Sequence, residues 1–413
     1  MTSSADASAS YATEVAQLLW PSPWGMPYVT RDPRPTGSHH REAYLFPSAR
    51  NPRLLVPTDL PVAATMLRRL GHDRSPFVRP MRAVLQTSVR SKAFALSRWP
   101  KLRVPGHDPG ADSIESHLSD VLGAEVRVGV VLGPRRVNQK PVLQIFTLGG
   151  SLAGFAKVGH NALTSALVRH EAESLRSIGR LGPRTFRAPQ LLHAGHWSGL
   201  DVLVMSPLET SSGDPVLAAT RDASMVEVAR LGGVQERPLA ESSHWSRMRE
   251  GVLRLVDVPH GHTLMNAFET IEAAHGEVDL VFGGWHGDWG PWNMGMSGGV
   301  LQLWDWERYE AEVPLGFDGL HLIAQQVHPG RRDESTQERR FLQSAPASLA
   351  VFDVPRAHHD VIIQLYLLEM AVRYVDALTH GARPEFARRT AWVVSLLTRL
   401  LEQPHLTLSE GRP

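Results

Sequence analysis

The chain has 413 residues, more than one hydrophobic core usually serves, so two or three domains are expected. Hydrophobic residues make up 42% and charged residues 21%, as in an ordinary globular protein, and the absence of cysteine excludes disulfides, a thiol nucleophile, iron–sulfur clusters and thiolate zinc sites. The formal charge of +1 hides an asymmetry, since residues 1 to 112 carry 15 Lys and Arg against 8 Asp and Glu, and the remainder 28 against 34. A basic front on an acidic body fits docking between the two, an acidic partner, or a solvated Arg-rich surface. There is no apolar run of membrane-spanning length and no leader-like start, so no membrane span is expected and the cytoplasm is the default location.

Residues 1 to 40 are rich in Ser, Pro and Gly and poor in periodicity, which predicts a mobile tail with one helical turn around Glu14 to Leu19. Ala43 to Phe46 and Arg53 to Val56 read as short strands. Asp59, with Pro61 just inside, opens a helix ending near Leu70 and Gly71. Val78 to Arg98 reads as another, with Arg82, Arg90, Lys92 and Arg98 on its polar side, and Pro105 to Gly110 reads as a linker. Residues 41 to 112 thus form a basic α/β region in which no chemistry is legible.

Residues 113 to 208 are strand-rich. A helix from Ser113 to Leu122 leads to strands Val126 to Leu132, Val142 to Leu148 and Ala153 to Val158. The loop Gly133 to Lys140 lacks repeated glycines and reads equally as a phosphate cradle or an exposed hairpin tip. Lys157 sits near the end of the third strand, and the helix Leu163 to Ile178 behind it carries Glu171 and Glu173. Strands Gln190 to Ala194 and Asp201 to Met205 then run into Ser206-Pro207-Leu208-Glu209. From residue 209 onward helices dominate, at Ala223 to Leu231, Ser243 to Val256, Thr263 to Ala274, Asp318 to Gln326, Thr336 to Leu349, His359 to Leu378 and Pro384 to Leu401.

Between those helices lies the stretch Gly283 to Glu307, GGWHGDWGPWNMGMSGGVLQLWDWE, which fits the pattern H-x-D-x-x-x-x-N at His286, Asp288 and Asn293. Gly290 and Pro291 make the Asp288 to Asn293 segment a turn that can aim both polar side chains at one place. A hairpin follows, turning at Ser297-Gly298-Gly299 and returning through Val300 to Trp304, which delivers Asp305 beside Asn293. A carboxylate and an amide oxygen placed together suit a hard, oxygen-seeking cation.

HGDWGPWN followed by LWDWE resembles the paired signatures of the aminoglycoside phosphotransferase and choline kinase-like family, relatives of protein kinases that phosphorylate small molecules. The resemblance covers roughly the last three quarters of the chain and implies an α+β fold of the bilobal protein kinase-like type. A β-rich N-lobe would span 113 to 208 and a helical C-lobe 209 to 413, with the N-terminal α/β region added. It also implies ATP and Mg²⁺ as cofactors and a small-molecule hydroxyl as acceptor, with no nucleic acid expected; the oligomeric state stays open. Asp288 would be the catalytic base, Asn293 and Asp305 the metal ligands, and His286 and Asp318 structural supports of the loop. Lys157 compares with the V-A-I-K lysine of kinases and would engage nucleotide phosphates. Its partner is Glu171, since RHEAESL resembles the family's R-E-A-E-x-L, with Glu173 the alternative. Ser206 and Leu208 would border the adenine at the inter-lobe hinge.

Several other features weigh against or beside that reading. Asp288, Asn293 and Asp305 are all good turn-formers. Gly295 to Gly299 matches the G-x-S-x-G hydrolase elbow but lacks the strand-then-helix setting the elbow needs. His39-His40 and His260-Gly261-His262 read as surface residues. The tryptophans around the loop, at 285, 289, 292, 304 and 306, suit either stacking on an acceptor or packing beneath the loop. The acids Glu307, Glu310, Glu312 and Asp318 would suit a cationic antibiotic or be solvated. A catalytically idle, ligand-binding kinase fold and an antibiotic-modifying enzyme therefore stand as the alternatives.

Overall fold

The structure is a computed structural model and describes residues 4–32, 40–69, 99–106, 108, 110–133, 139–211, 214–331, 333–381 and 384–403. The chain is mixed α+β and divides into two compact units, Met1–Ala172 with Pro189–Pro207 and Glu173–Ala188 with Leu208–Pro413. No helix among the described residues is long and apolar enough to cross a membrane.

The first unit is built on one sheet. Its strands are β1 (Tyr28–Thr30), β2 (His40–Phe46), β3 (Leu54–Pro57), β4 (Lys101–Pro105), β5 (Val126–Val131), β6 (Val142–Thr147), β7 (Leu152–Gly159), β9 (Leu191–Trp197) and β10 (Leu200–Met205), while β8 (Phe186–Arg187) belongs to the second unit. The spatial order is β1-β4-β2-β3-β5-β6-β7-β10-β9. Strand β3 pairs with β5 through Leu54 opposite Val131 and Leu55 opposite Val130. The expected break between a region at 41 to 112 and another at 113 to 208 is thus bridged by continuous hydrogen bonding. Charge follows the same seam: Arg41 binds Glu115 at 2.6 Å, so a basic residue of the front is neutralised by an acid of the segment after it. Arg103, 1% exposed, donates to Glu42 at 2.6 Å.

The expectation of a mobile tail is overturned. Helix α1 runs Ser4–Leu19, and Ala12, Val15, Ala16 and Leu19 are buried in one core with Trp20, Trp24 and strand residues such as Leu45, Val104 and Val128. The spacing 12, 15, 16, 19 is one face of a helix, and the Ser and Ala residues around it kept that stripe faint. Helix α2 (Leu60–Arg69) covers the sheet with Val62, Ala63, Met66 and Leu67. Helix α3 (Ile114–Leu122) starts with a capping box in which the Ser113 hydroxyl oxygen accepts from the Ser116 amide and the Ser113 amide donates to the Ser116 hydroxyl oxygen. The helix read at Val78 to Arg98 lies outside the described residues.

Helix α4 (Ala162–Leu181) carries the chain from one unit into the other. The second unit holds α5 (Ala218–Arg230), α6 (Ser243–Arg254), α7 (Gly261–His275), α8 (Phe317–Ala324), α9 (Glu334–Ala350), α10 (His359–Thr379) and α11 (Pro384–Glu402). Two small sheets complete it: β11 (Gln235–Pro238), β12 (Asp279–Trp285) and β15 (Glu310–Pro314) in the order β11-β12-β15, and β13 (Met294–Ser297), β14 (Val300–Leu303) and β8 in the order β13-β14-β8. The first of these sheets was not foreseen. Strand β12 is the rail that feeds the chain into the loop at His286, and its end at Trp285 is fully buried.

Candidate active site

In the first unit the chemistry is an ion pair. Strand β7 sets Lys157 opposite Val142 of β6 and Leu203 of β10, well inside the sheet. The Lys157 Nζ lies 2.6 Å from each carboxylate oxygen of Glu171, which is 0% exposed against 8% for the lysine. Glu173 faces solvent, which settles the choice between the two acids. Helix α4 buries Val168, Glu171, Ala172 and Leu175, so Glu171 stands in an apolar stripe where Lys157 compensates its charge. In the loop between β5 and β6, Gly133 O accepts from Arg53 at 2.9 Å and Gln139 donates to Leu132 O at 2.6 Å. Arg135 and Arg136 lie outside the described residues. The Ser206 amide donates to Gln190 O at 2.9 Å and the Ser206 hydroxyl oxygen accepts from the Gln190 amide at 2.9 Å; Leu208 opens the second unit.

In the second unit the loop after β12 is gripped from helix α8. Asp318, 2% exposed, accepts from the His286 amide at 2.7 Å and from the Gly287 amide at 3.2 Å. Burial pushes the Asp318 carboxyl up to about 7, against those two amides and Arg373, which favour the charged form. Gly287 has φ +81°, and a Cβ there would sit 2.2 Å from the Arg308 carbonyl oxygen, so the position requires glycine. Arg373 donates to Gly287 O at 2.7 Å and lies 4.9 Å over the Trp285 ring.

His286 is a structural member of the loop. Its Nδ1 accepts from the Asp288 amide at 3.3 Å, which places the proton on Nε2, 3.0 Å from Trp304 O. Burial lowers its pKa to about 4, so it is neutral at physiological pH. Its ring thereby ties the loop to the end of the returning hairpin.

Asp288 projects from that frame with its side chain 36% exposed. Its Oδ2 accepts from Asn293 Nδ2 at 2.8 Å and lies 3.4 Å from Trp292 Nε1, while His321 Nε2 lies 3.6 Å from Oδ1. Burial raises the Asp288 pKa, but the hydrogens of His321 and Trp292 and the nearby His286 outweigh it and hold the carboxyl below the usual carboxylate range.

The candidate cation donors follow from the hairpin. Strands β13 and β14 pair Met294 with Leu303 around a two-residue turn at Gly298 and Gly299, both at positive φ, and the Trp304 amide donates to Asn293 O at 3.1 Å. Asp305 is thereby returned to the neighbourhood of Asn293, in a left-handed conformation at φ +70°. Asn293 spends its amide nitrogen on Asp288, leaving its oxygen for a ligand. Asp305 and Glu307 bring carboxylate oxygens within 4.8 Å of each other. This all-oxygen set suits Mg²⁺, which prefers one or two carboxylates and otherwise keeps water or phosphate.

Sequence reasoning missed Glu307 as a donor, and also His321, Arg308 and Tyr366. His321 is buried in the apolar run FDGLHLIA, where a lone histidine carries no signal. Arg308 is half-buried, and burial lowers its guanidinium to about 10, with Arg373 adding to the effect and Asp288, Asp305 and Glu369 opposing it. Of the five tryptophans, Trp285, Trp289 and Trp306 are at most 1% exposed and form the floor beneath the loop, whereas Trp292 is 52% exposed. The supposed acidic patch is spent internally: Glu312 binds Arg237 and Ser243, Glu310 faces Arg247 at 3.8 Å, and Glu307 and Asp318 are buried. Residues 295 to 299 form the hairpin turn, not a nucleophile elbow. His260 and Gly261 open α7, and His40 lies in β2.

No protein-family model and no curated protein sequence matches the chain. Solved structures similar to it include a protein assigned as a fructosamine-3-kinase from Haemophilus somnus, at 9% identity and TM-score 0.46 over 69% of this chain and 96% of that one. Choline kinase LicA from Streptococcus pneumoniae is similar at 15% identity and TM-score 0.44, over 69% of this chain and 98% of that one. The aminoglycoside phosphotransferase APH(4)-Ia is similar at 13% identity and TM-score 0.43, over 70% of this chain and 99% of that one. All three carry the names of small-molecule kinases; LicA is also seen with AMP, and the phosphotransferase with ADP and hygromycin B. At such values the function has to be argued from this chain's own side chains.

Proposed function

We propose that the protein is an ATP-dependent phosphotransferase that uses Mg²⁺ to phosphorylate a hydroxyl of a small molecule such as a sugar, an aminosugar or an amino alcohol. The observation that carries this reading is the hydrogen-bonded frame around Asp288. One carboxylate oxygen is fixed by Asn293, the loop amides are clamped by Asp318, and the Asn293 oxygen is left available beside the hairpin that returns Asp305. Asp288 orients the acceptor hydroxyl and takes its proton as the acceptor oxygen bonds to the γ-phosphorus and the bond to the ADP oxygen breaks. Asn293 and Asp305, with Glu307 beside them, would hold Mg²⁺, which neutralises phosphate charge. Lys157, kept straight by Glu171, is the cation for the α- and β-phosphates. Most of the acceleration comes from positioning and charge neutralisation.

The test is ATP turnover by the purified protein, with Mg²⁺, across a pooled set of sugars and amino alcohols. Acceptor-dependent ADP release should fall by about 10²- to 10⁴-fold in Asp288→Asn, the range of a general base, while calorimetry should still detect nucleotide. Asp305→Ala should abolish the Mg²⁺ dependence of ATP binding. Turnover indifferent to Asp288→Asn, or the absence of any Mg-ATP binding, would replace this reading with that of a ligand-binding protein on the same fold.

A further inference from the structure

Helix α8 contributes a second residue to the loop besides Asp318. One turn on, His321 is 2% exposed and its Nε2 lies 3.6 Å from Asp288 Oδ1. The other ring nitrogen, Nδ1, lies 3.2 Å from the hydroxyl of Tyr366 on α10. Tyr366 is itself buried at 2% exposure, and burial raises its pKa well above the ordinary tyrosine value, so the hydroxyl keeps its proton and can give it to Nδ1. A histidine that accepts at Nδ1 carries its hydrogen on Nε2, the nitrogen that faces Asp288. The Gln325 side-chain nitrogen is placed 2.7 Å from the same Nε2, where two donors cannot face each other, so with Nε2 protonated the amide turns its oxygen inward and shares that one hydrogen with Asp288. Trp285 closes the apolar side, its ring centroid 6.3 Å from that of His321 and 5.3 Å from that of Phe317.

We propose that His321 is a positioning residue for the catalytic carboxylate: Tyr366 fixes its tautomer, and its Nε2–H steadies Asp288 Oδ1 while Asn293 and Trp292 hold Oδ2. The carboxylate is then braced on both oxygens, with the remaining lone pairs left for the acceptor hydroxyl. This rests on the phosphotransferase reading for its kinetic consequence, though not for its geometry. At 3.6 Å the contact is longer than a hydrogen bond, so in this geometry the Nε2–H steadies the carboxylate electrostatically.

The arrangement has a charge state as well. His321 is faced by Asp288 and His286 from the loop, Tyr366 and Arg373 from α10, Arg389 from α11 and Gln325 from its own helix. Burial lowers its pKa, Asp288 opposes that, and the two arginines add to it, so His321 is neutral at pH 7. In acid it becomes an imidazolium against Asp288, which makes the carboxylate a poorer base and lowers turnover.

Two measurements decide the matter. The first needs no activity: the imidazole of His321, assigned by its absence in His321→Gln, is titrated by NMR in the wild type and in Asp288→Asn. Loss of the facing charge should lower its pKa by about one unit; an unmoved titration overturns the contact. The second is the pH profile of kcat with the best acceptor. His321→Gln keeps an N–H toward Asp288 and should retain kcat within several-fold while losing the acid limb. His321→Leu should lose about 10- to 100-fold in kcat with KM for ATP unchanged. Tyr366→Phe, which keeps the ring, should lower kcat several-fold and serves where the leucine variant fails to fold. If kcat and its acid limb are the same in all three variants, the positioning role is wrong. A wild type without turnover would sink the phosphotransferase reading and leave the NMR result standing.

Discussion

Lys157 and Glu171 place opposite charges in a strand-and-helix interior, where breaking the pair costs more than the pair contributes. Glu171→Ala would remove the carboxylate that lies 2.6 Å from a buried ammonium, with an expected loss of about 3 to 5 kcal/mol in denaturant unfolding. The double substitution Lys157→Met with Glu171→Leu should recover most of that stability while ATP binding stays absent; a double variant that still binds ATP would detach the pair from the nucleotide. The sequence favoured Glu171 over Glu173 only through the RHEAESL resemblance and left both open; what separates them is the buried helical face that Glu171 shares with Val168, Ala172 and Leu175. His321 was not legible, because an amphipathic helix read from its apolar spacing gives no reason to suspect the single polar residue it buries. Glu307 was hidden in the same way, next to the more conspicuous Asp305. Residues whose role depends on turn geometry, Asp288 and Asn293, stood out because Gly and Pro mark the turn.

Among the elements, α1 shows how composition misleads. Leu19 is 0% exposed in the shared core, so Leu19→Ala should cost about 2 to 5 kcal/mol, whereas a mobile tail would tolerate it without change in the melting temperature. The sequence suggested a single turn because Ser and Ala neither form a strong apolar stripe nor break a helix. Strands β1 and β4, which pair with each other at one end of the sheet, have three and five residues and are too short to announce themselves. The long helices of the second unit were read almost to their ends, since their 3.6-residue periodicity runs over many turns. In the loop, Gly287→Ala must displace the Arg308 backbone or abandon the left-handed turn. The expected result is a large loss of turnover with the far-UV spectrum preserved; retained activity would show that the His286 to Asp288 frame can shift without consequence.

At the scale of the whole chain, buried histidines weaken the fold in acid. His244, 1% exposed, has neither ring nitrogen hydrogen-bonded among the described residues, and burial lowers its pKa to about 4, with Glu369 and Glu312 opposing and Arg247 assisting. Between pH 6.5 and about 4 the unfolded chain binds a proton there that the folded chain refuses, so this contribution is complete above pH 6.5 and disappears as pH falls through that window. The difference is about 3 kcal/mol for a group shifted this far. The gap between thermal melts at pH 7 and pH 4.5 should therefore narrow in His244→Phe, which keeps the edge-on packing against Phe317; an unchanged pH dependence would place the acid sensitivity elsewhere.

Neither compact unit is an unbroken length of chain, because the backbone enters the second one within α4, leaves it after Ala188 and returns at Leu208. Anyone dissecting the gene at residue 208 would discard residues 173 to 188 with the front half. Strand β14 would then lose Phe186 and Arg187 as its parallel neighbours, and Glu227 would lose the Arg184 and Thr185 amides it now binds at 2.6 Å each. Such a fragment begins life with a raw sheet edge and a stranded carboxylate, so aggregation is its expected fate.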